Sequence, residues 1–273
     1  MADPFQRYRG LEIAADAPSV DERAEVAYHL VGDLDLTQTS SAAGYAVAAH
    51  AAIDDILQRG RLAIVTGGTG LYLRAALAEL DFPMEAPPDV RRRVEDLVAH
   101  DLLQAIDELG RLDPQAAARI DLRNPRRVSR ALELARAGIT RPAHDRLWTE
   151  ITRHPTVLIG VSRPRETLDS LIAQRVQREL DDGLVAEIEA ALDTPGLSRT
   201  AAQIIGVREV LALRAGEIDV TQIPDLLAAR TRKLARAQLT WLRKTPAVDE
   251  LDLGITPSRD GLNALCERWG RRS

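Results

Sequence analysis

The stretch RLAIVTGGTGLYLRAAL, residues 61–77, leaves the chain few architectures. Residues 62–65 form a short apolar run. Gly67, Gly68, Thr69 and Gly70 break it, and from Leu71 to Leu80 apolar residues return at helical spacing. The order is strand, glycine turn, helix, the unit from which α/β layers are built. At such a junction glycines let the backbone approach a ligand, the helix start points unpaired N–H groups at an anion, and Thr69 adds a hydroxyl. A phosphate site fits these residues, and so does a tight turn that packs a helix on a sheet. The turn carries neither the lysine and spacing of GxxxxGK followed by Ser or Thr nor the glycine offsets of GxGxxG.

The surrounding pattern repeats the theme. A helix over residues 40–58, with Ala43, Val47, Ala51, Ile53 and Leu57 at helical spacing, ends at Gly60 and leads into the central strand. The run TVLIGV, residues 156–161, reads as a buried parallel strand, and residues 248–253 as a last one. Between them lie a helix opened by Ser162 and Pro164 and stopped by Gly183, and another around Val185, Ile188 and Leu192. A helix running from about Ala202 through Gly206 and a long basic helix over 224–243 follow, and residues 257–269 make a closing helix. Strands separated by helices predict an α/β core with a parallel sheet.

Residues 84–150 break this alternation. After the proline-rich DFPMEAPPD, Asp89 is placed to cap a helix carrying Val90, Val94, Leu97, Val98, Leu102, Ile106 and Leu109, stopped by Gly110. A short helix follows Asp113 and Pro114. Asn124 and Pro125 open another that ends at Gly138. The expected division is an α/β core over 1–83 and 151–273 with a helical insertion over 84–150.

Composition narrows the function classes. In 273 residues, 45% hydrophobic content supplies a sizeable core. No apolar run reaches membrane-spanning length and MADPFQRYRG lacks the apolar centre of a signal peptide, so a soluble, cytoplasmic protein with no membrane contact is expected. Cys266 has no partner for an internal disulfide, and His29, His50, His100, His144 and His154 show no zinc-ligand spacing. The net charge of −5 argues against non-specific coating of nucleic acid, yet two segments oppose the average. Residues 119–146 hold eight arginines against Asp121, Glu133 and Asp145, and residues 226–248 hold six basic residues and no acidic one. Singly, Asp3 is a general base or a surface charge, and Arg126, Arg127 and Arg130 are a polyanion face or a solvated one.

Taken together, DPFQRYRGL, GRLAIVTGGTGLYLRAAL, DPQAAARID, NPRRVSRALEL, IGVRE and LARAQLTWLRK stand in the order and spacing of the tRNA dimethylallyltransferases, also called tRNA isopentenyltransferases. The chain resembles that family over nearly its whole length. The resemblance implies a P-loop-kinase-like parallel sheet with a helical insertion that grips the tRNA anticodon stem-loop. It also implies transfer of a dimethylallyl group from dimethylallyl diphosphate to the N6 amine of the adenosine 3′-adjacent to the anticodon, with Mg²⁺, by a cytoplasmic monomer. Such chemistry asks for a carboxylate to take the amine proton, cations and N–H groups to neutralise the leaving diphosphate, and a pocket for the extruded base.

By the same resemblance Asp3 is the catalytic aspartate, Thr69 contacts the reacting nucleotide and Arg175 binds diphosphate. The implied tRNA contacts are Pro4, Phe5 and Gln6; Arg91; Arg126, Arg127, Val128, Ser129 and Arg130; Gln203, Gly206 and Arg208; and Arg236, Gln238, Trp241 and Arg243. No metal ligand is assigned. Family members begin earlier, with a strand and a phosphate-binding loop, G-P-T-x-x-G-K followed by Ser or Thr, so the first strand and that loop are expected to be missing from this chain. Pro4 stands where the family has a small residue, Ala14, Ala15 and Asp16 where it has Gly-Thr-Ala, and Ala237 where it has a basic residue. A second reading is therefore a catalytically inactive truncated homologue that retains only tRNA binding. A related transferase or kinase acting on free adenine nucleotides is disfavoured, since a mononucleotide needs no arginine-rich insertion.

Overall fold

Ser19 accepts a hydrogen bond from the Glu22 backbone while the Glu22 carboxylate accepts one from Ser19, and this reciprocal cap starts helix α1, Val20–Glu25. The computed structural model describes residues 1–140, 147–254, 259–261, 263, 264 and 267. Ser41 caps α2, Ala42–Gln58, through the Gly44 N–H. Its buried residues are Tyr45, Ala46 and Ala49, whereas Val47 is 73% exposed, so the helix turns a different face inward from the one its apolar spacing predicts. In an alanine-rich helix the periodic signal is weak, and two rings choose the face. Tyr45 meets Tyr72 of α3, Gly70–Leu77, with ring centroids 4.6 Å apart.

Among the described residues the run at 62–65 forms no β-ladder, and Leu62 and Ile64 are largely exposed. This corrects the strand expected there. A β-branched run becomes a strand only where a neighbour takes up its backbone groups.

Four helices follow: α4, Pro88–His100; α5, Leu102–Leu112; α6, Pro114–Arg119; and α7, Pro125–Arg136. The single helix expected across 90–109 is two. Asp101 closes α4 by donating its N–H to Leu97 and opens α5 by accepting from Gln104, and Gly110 lies inside α5. Pro87, not Asp89, holds the cap position of α4, because the helix already starts at Pro88, whose fixed φ suits the first helical position. Asp89 pairs instead with Arg93 at 2.5 Å. Asn124 caps α7 as its sequence predicts. Val94, Ala105, Leu109, Val128 and Leu132 form the core of this unit.

The chain then enters β1, Leu158–Ser162, followed by α8, Arg165–Asp181, α9, Leu184–Leu192, α10, Val207–Arg214, α11, Ile223–Lys244, and β2, Val248–Asp252. β1 and β2 pair in parallel, Leu158 opposite Val248 and Ser162 opposite Asp252, the arrangement that helical crossovers permit. The helix expected through Gly206 is interrupted there. Gly206 has φ 107°, and a β-carbon on it would overlap Ile188 Cδ1 at 2.6 Å, so the residue ends one turn and starts α10. Around this bend Tyr8, Leu11, Ile172, Val176, Leu184, Ile188, Ile204, Val210, Ile223 and Leu227 make the main core.

The architecture is α/β, mostly helical with a small parallel sheet, in two compact units: residues 1–79 with 147–273, and residues 80–146. Arg141, His144, Asp145, Arg146 and Cys266 lie outside the described residues, as does most of the expected closing helix. Among the described residues no helix is long and apolar enough to cross a membrane.

Candidate active site

Asp3 sits at a turn that it stabilises itself. Its Oδ1 accepts the Phe5 N–H at 2.8 Å, the Gln6 N–H also points to the carboxylate, and Oδ2 accepts the Thr69 hydroxyl at 3.5 Å. Burial pushes the Asp3 carboxyl above its ordinary value near 3.8, against the pull of those donors. The glycine turn explains how residues so far apart in sequence meet. The Ala2 N–H bonds to Thr66 O at 2.7 Å, and the Ala2 backbone fills the space that a β-carbon on Gly67 would need. Gly68 is likewise filled by the Gln238 side chain and Gly70 by the Trp241 ring. The glycines thus admit other parts of the protein. Thr69 holds the cap position of α3 without capping it, and its hydroxyl serves Asp3 instead.

Asp3, Gln6, Asp16, Gly68, Arg175 and Gln238 line one cavity of about 190 Å³. Arg175 reaches it from α8, its Nη1 2.9 Å from Asp16 and its Nε 2.8 Å from Glu179 Oε1; the second contact is an ion pair without hydrogen-bond alignment. Burial raises the Glu179 carboxyl and the nearby guanidinium opposes that rise. Gln6 Nε2 donates to Asp16 O at 2.7 Å, leaving its buried Oε1 with no donor. Glu187 fixes the adjoining loop, one carboxylate oxygen on the Ile13 N–H and the other on the Ala14 N–H, each at 2.9 Å. A carboxylate bonded to the Thr69 hydroxyl and a guanidinium on the wall of the same cavity can accept a proton and neutralise an anion.

The structure therefore brings Asp3, Gln6, Thr69, Arg175 and Gln238 to one place. Asp16, Glu179 and Glu187 were not anticipated; only the i, i+4 spacing of Arg175 and Glu179 on a helix signals any of them. Pro4 is half-buried and Phe5 packs on the main core. Gln203 bonds to Arg199 O, Gly206 is buried, and Arg208 is exposed at the start of α10. Arg236 and Arg243 are exposed on α11, where Trp241 stacks on Trp148.

In the helical unit Arg126 and Arg127 are exposed in the first turn of α7, and Arg91 pairs with Glu85 at 2.7 Å. Val128, grouped with the contact residues, is wholly buried in the unit's core and offers no side chain to a ligand. Ser129 donates to Glu133, and Arg130 pairs with Glu133 while donating to Pro83 O and Met84 O. These two tie the unit together.

A parallel strand pair packed by helices, with a hydroxyl-bonded carboxylate and a guanidinium lining one cavity, defines an α/β protein with a site for a proton acceptor and an anion. The family model for IPP transferase matches residues 6–245. The chain belongs to that family. A tRNA dimethylallyltransferase of Thermobifida fusca is 40% identical over 271 residues, covering 97% of this chain and 84% of the relative. One from Salinispora tropica is 39% identical over 254 residues, covering 92% and 79%. Among solved structures, the tRNA isopentenylpyrophosphate transferase of Bacillus halodurans superposes with a TM-score of 0.70 at 29% identity, over 98% of this chain and 86% of that one. A eukaryotic dimethylallyltransferase acting on tRNA reaches 0.75 at 20% identity, over 99% and 72%, a likeness of fold.

Proposed function

We propose that this chain transfers a dimethylallyl group from dimethylallyl diphosphate to the N6 amine of the adenosine 3′-adjacent to the anticodon in tRNA. The observation that carries the reading is the Asp3 carboxylate, held by Thr69 and lining the same cavity as Arg175. The activity named for relatives at up to 40% identity supports it. In this reading the N6 nitrogen attacks the allylic carbon, the carbon–oxygen bond to diphosphate breaks, and Asp3 takes the proton that the amine loses. Arg175 meets the negative charge growing on the leaving group, for which it exchanges its contact with Asp16. Extrusion of the adenine puts its amine within reach of a carboxylate at a cavity wall.

Arg126, Arg127, Arg208, Arg236 and Arg243, exposed on the two units, contact tRNA phosphates, and the enzyme works as a cytoplasmic monomer where tRNA is found. Among the described residues no three carboxylate, imidazole or thiolate groups converge, and Mg²⁺ is commonly held by one or two carboxylates together with the phosphate oxygens of its substrate. The ion enters this reading with the diphosphate oxygens, and no step is routed through it.

The test incubates the chain with dimethylallyl diphosphate, Mg²⁺ and unmodified tRNA and reads the added mass on the adenosine. Because the resemblance places a phosphate-binding loop ahead of Met1, the assay is run both on the chain alone and with a relative's loop segment fused before it. Asp3→Asn is expected to lower kcat by about 10²–10⁴ with tRNA affinity unchanged. With the base's carboxyl raised, the rate falls as pH drops through a value above 3.8, and this acid limb disappears in the variant. Equal rates for parent and variant remove Asp3 from the mechanism. Tight tRNA binding with no transfer by either form establishes the binding-only reading instead.

A further inference from the structure

Trp241 projects from the last turns of α11, and its ring fills the space above Gly70, next to Thr69. Trp148 lies against it with ring centroids 4.6 Å apart and planes tilted by 33°. Trp148 is nonetheless 38% exposed, and the Lys244 ammonium sits 5.8 Å from its ring centroid. Aromatic residues make up only 3% of the sequence, so two indoles beside the glycine turn are a large share of them. An indole that served packing alone would gain by burying its remaining face.

The stretch of chain that brings Trp241 to the pair is basic. The segment 226–248, from which Trp241 and Lys244 come, has six basic residues and no acidic one. A ligand that suits an exposed π-face flanked by cations is flat, unsaturated and anionic, which describes a nucleotide in a single strand. A duplex is a poorer fit, because its bases are stacked on one another and show only their edges.

We infer that Trp148, Trp241 and Lys244 form a platform for one unpaired nucleobase of the bound RNA, distinct from the base that enters the Asp3 cavity. The inference rests on the tRNA-modifying reading and extends it. A base laid on Trp148 displaces the Lys244 ammonium from the ring, and the released ammonium pairs with that nucleotide's phosphate. The adenosine drawn into the cavity leaves its neighbours without a stacking partner on one side. A platform beside Thr69 supplies that partner and holds the loop open.

The test compares the chain with Trp148→Leu, Trp148→Phe and Lys244→Met. Each is titrated with an anticodon stem-loop RNA and with a fully paired duplex of the same length, at several salt concentrations, and thermal unfolding is recorded for each. Trp148→Leu is expected to weaken stem-loop binding about tenfold and Trp148→Phe less, with duplex binding as in the parent. Lys244→Met lowers the salt slope on the stem-loop by about 0.7. Indole fluorescence of the parent is quenched by the stem-loop, and Trp148→Leu loses most of that quench.

Parent-like stem-loop affinity in Trp148→Leu overturns the platform. So does an equal loss on stem-loop and duplex, which marks the ring as a support of the fold. If the parent modifies tRNA while Trp148→Leu binds as the parent does, only the platform fails. If the parent binds no stem-loop at all, the tRNA reading fails with it.

Discussion

Thr69 shows how a site is assembled from residues that forgo their local use. A threonine at a helix start ordinarily accepts an N–H from the first turn, yet α3 begins without a side-chain cap and the hydroxyl goes to Asp3. The glycines around it are needed for contacts within the protein. At Gly68 a β-carbon would meet the movable end of Gln238, whereas at Gly70 it would meet the Trp241 ring. An amide can swing aside, but a ring stacked on Trp148 cannot move without breaking that stack. Gly70→Ala is therefore expected to destabilise by about 1–3 kcal/mol through overpacking, and Gly68→Ala by less. Urea unfolding followed by tryptophan fluorescence reads both the midpoint and the Trp241 environment. Equal midpoints for the two variants would mean that the ring yields as easily as the amide.

At the scale of elements, the end of α2 is fastened to the strand-bound segment ahead of β1. Asp54 accepts from Arg153 at 2.9 and 3.2 Å and lies 2.8 Å from His154 Nε2, while the Arg153 N–H bonds to Leu77 O at the end of α3. Arg153 and His154 hold the Asp54 carboxyl down at about 2. A depressed carboxyl stabilises the fold fully above its ordinary value near 3.8 and loses that contribution as pH falls through about 2. Asp54→Asn is thus expected to be less stable than the parent at pH 7 and to converge on it near pH 2, read by urea midpoints at both. A gap that persists at the acid end would place the effect in packing. Such a clasp is invisible in the sequence, where its partners are about a hundred residues apart. What was legible was local: Asp113 and Asn124 cap their helices because cap chemistry needs only near neighbours. The break at Gly206 and the missing ladder at 62–65 are decided by a distant partner or by the want of one, whereas the break at Asp101 is local, a cap on the Gln104 N–H masked by an apolar stripe that runs on past it. Asp3, Thr69 and Arg175 were picked out by family resemblance. Their meeting was not readable, because Thr69 reaches Asp3 across 66 residues and Arg175 reaches Asp16 across 159.

For the molecule as a whole, a net charge of −5 has to coexist with binding a polyanion. The described structure resolves this by giving arginines different duties. Arg91, Arg130 and Arg136 are engaged by Glu85, Glu133 and Glu108, the last at 2.7 Å, and these pairs hold the helical unit together. Arg126 and Arg127, in the first turn of α7, keep their side chains exposed. Cations at a helix start work against the helix dipole, a local cost that a phosphate ligand there would offset. The double variant Arg126→Ala with Arg127→Ala is accordingly expected to weaken anticodon stem-loop binding and to lower the salt slope by about 1.5, with unfolding midpoints close to the parent's. Arg130→Ala is expected to do the reverse. It removes the guanidinium from the buried Glu133, which keeps the Ser129 hydroxyl, and releases the carbonyls of Pro83 and Met84, for about 1–2 kcal/mol of stability. Its salt slope stays near the parent's. Titrations at several salt concentrations, paired with urea unfolding of the same preparations, separate the two duties. If the double variant keeps the parent's slope, Arg126 and Arg127 touch no phosphate, and the anionic partner of this unit lies on another of its faces.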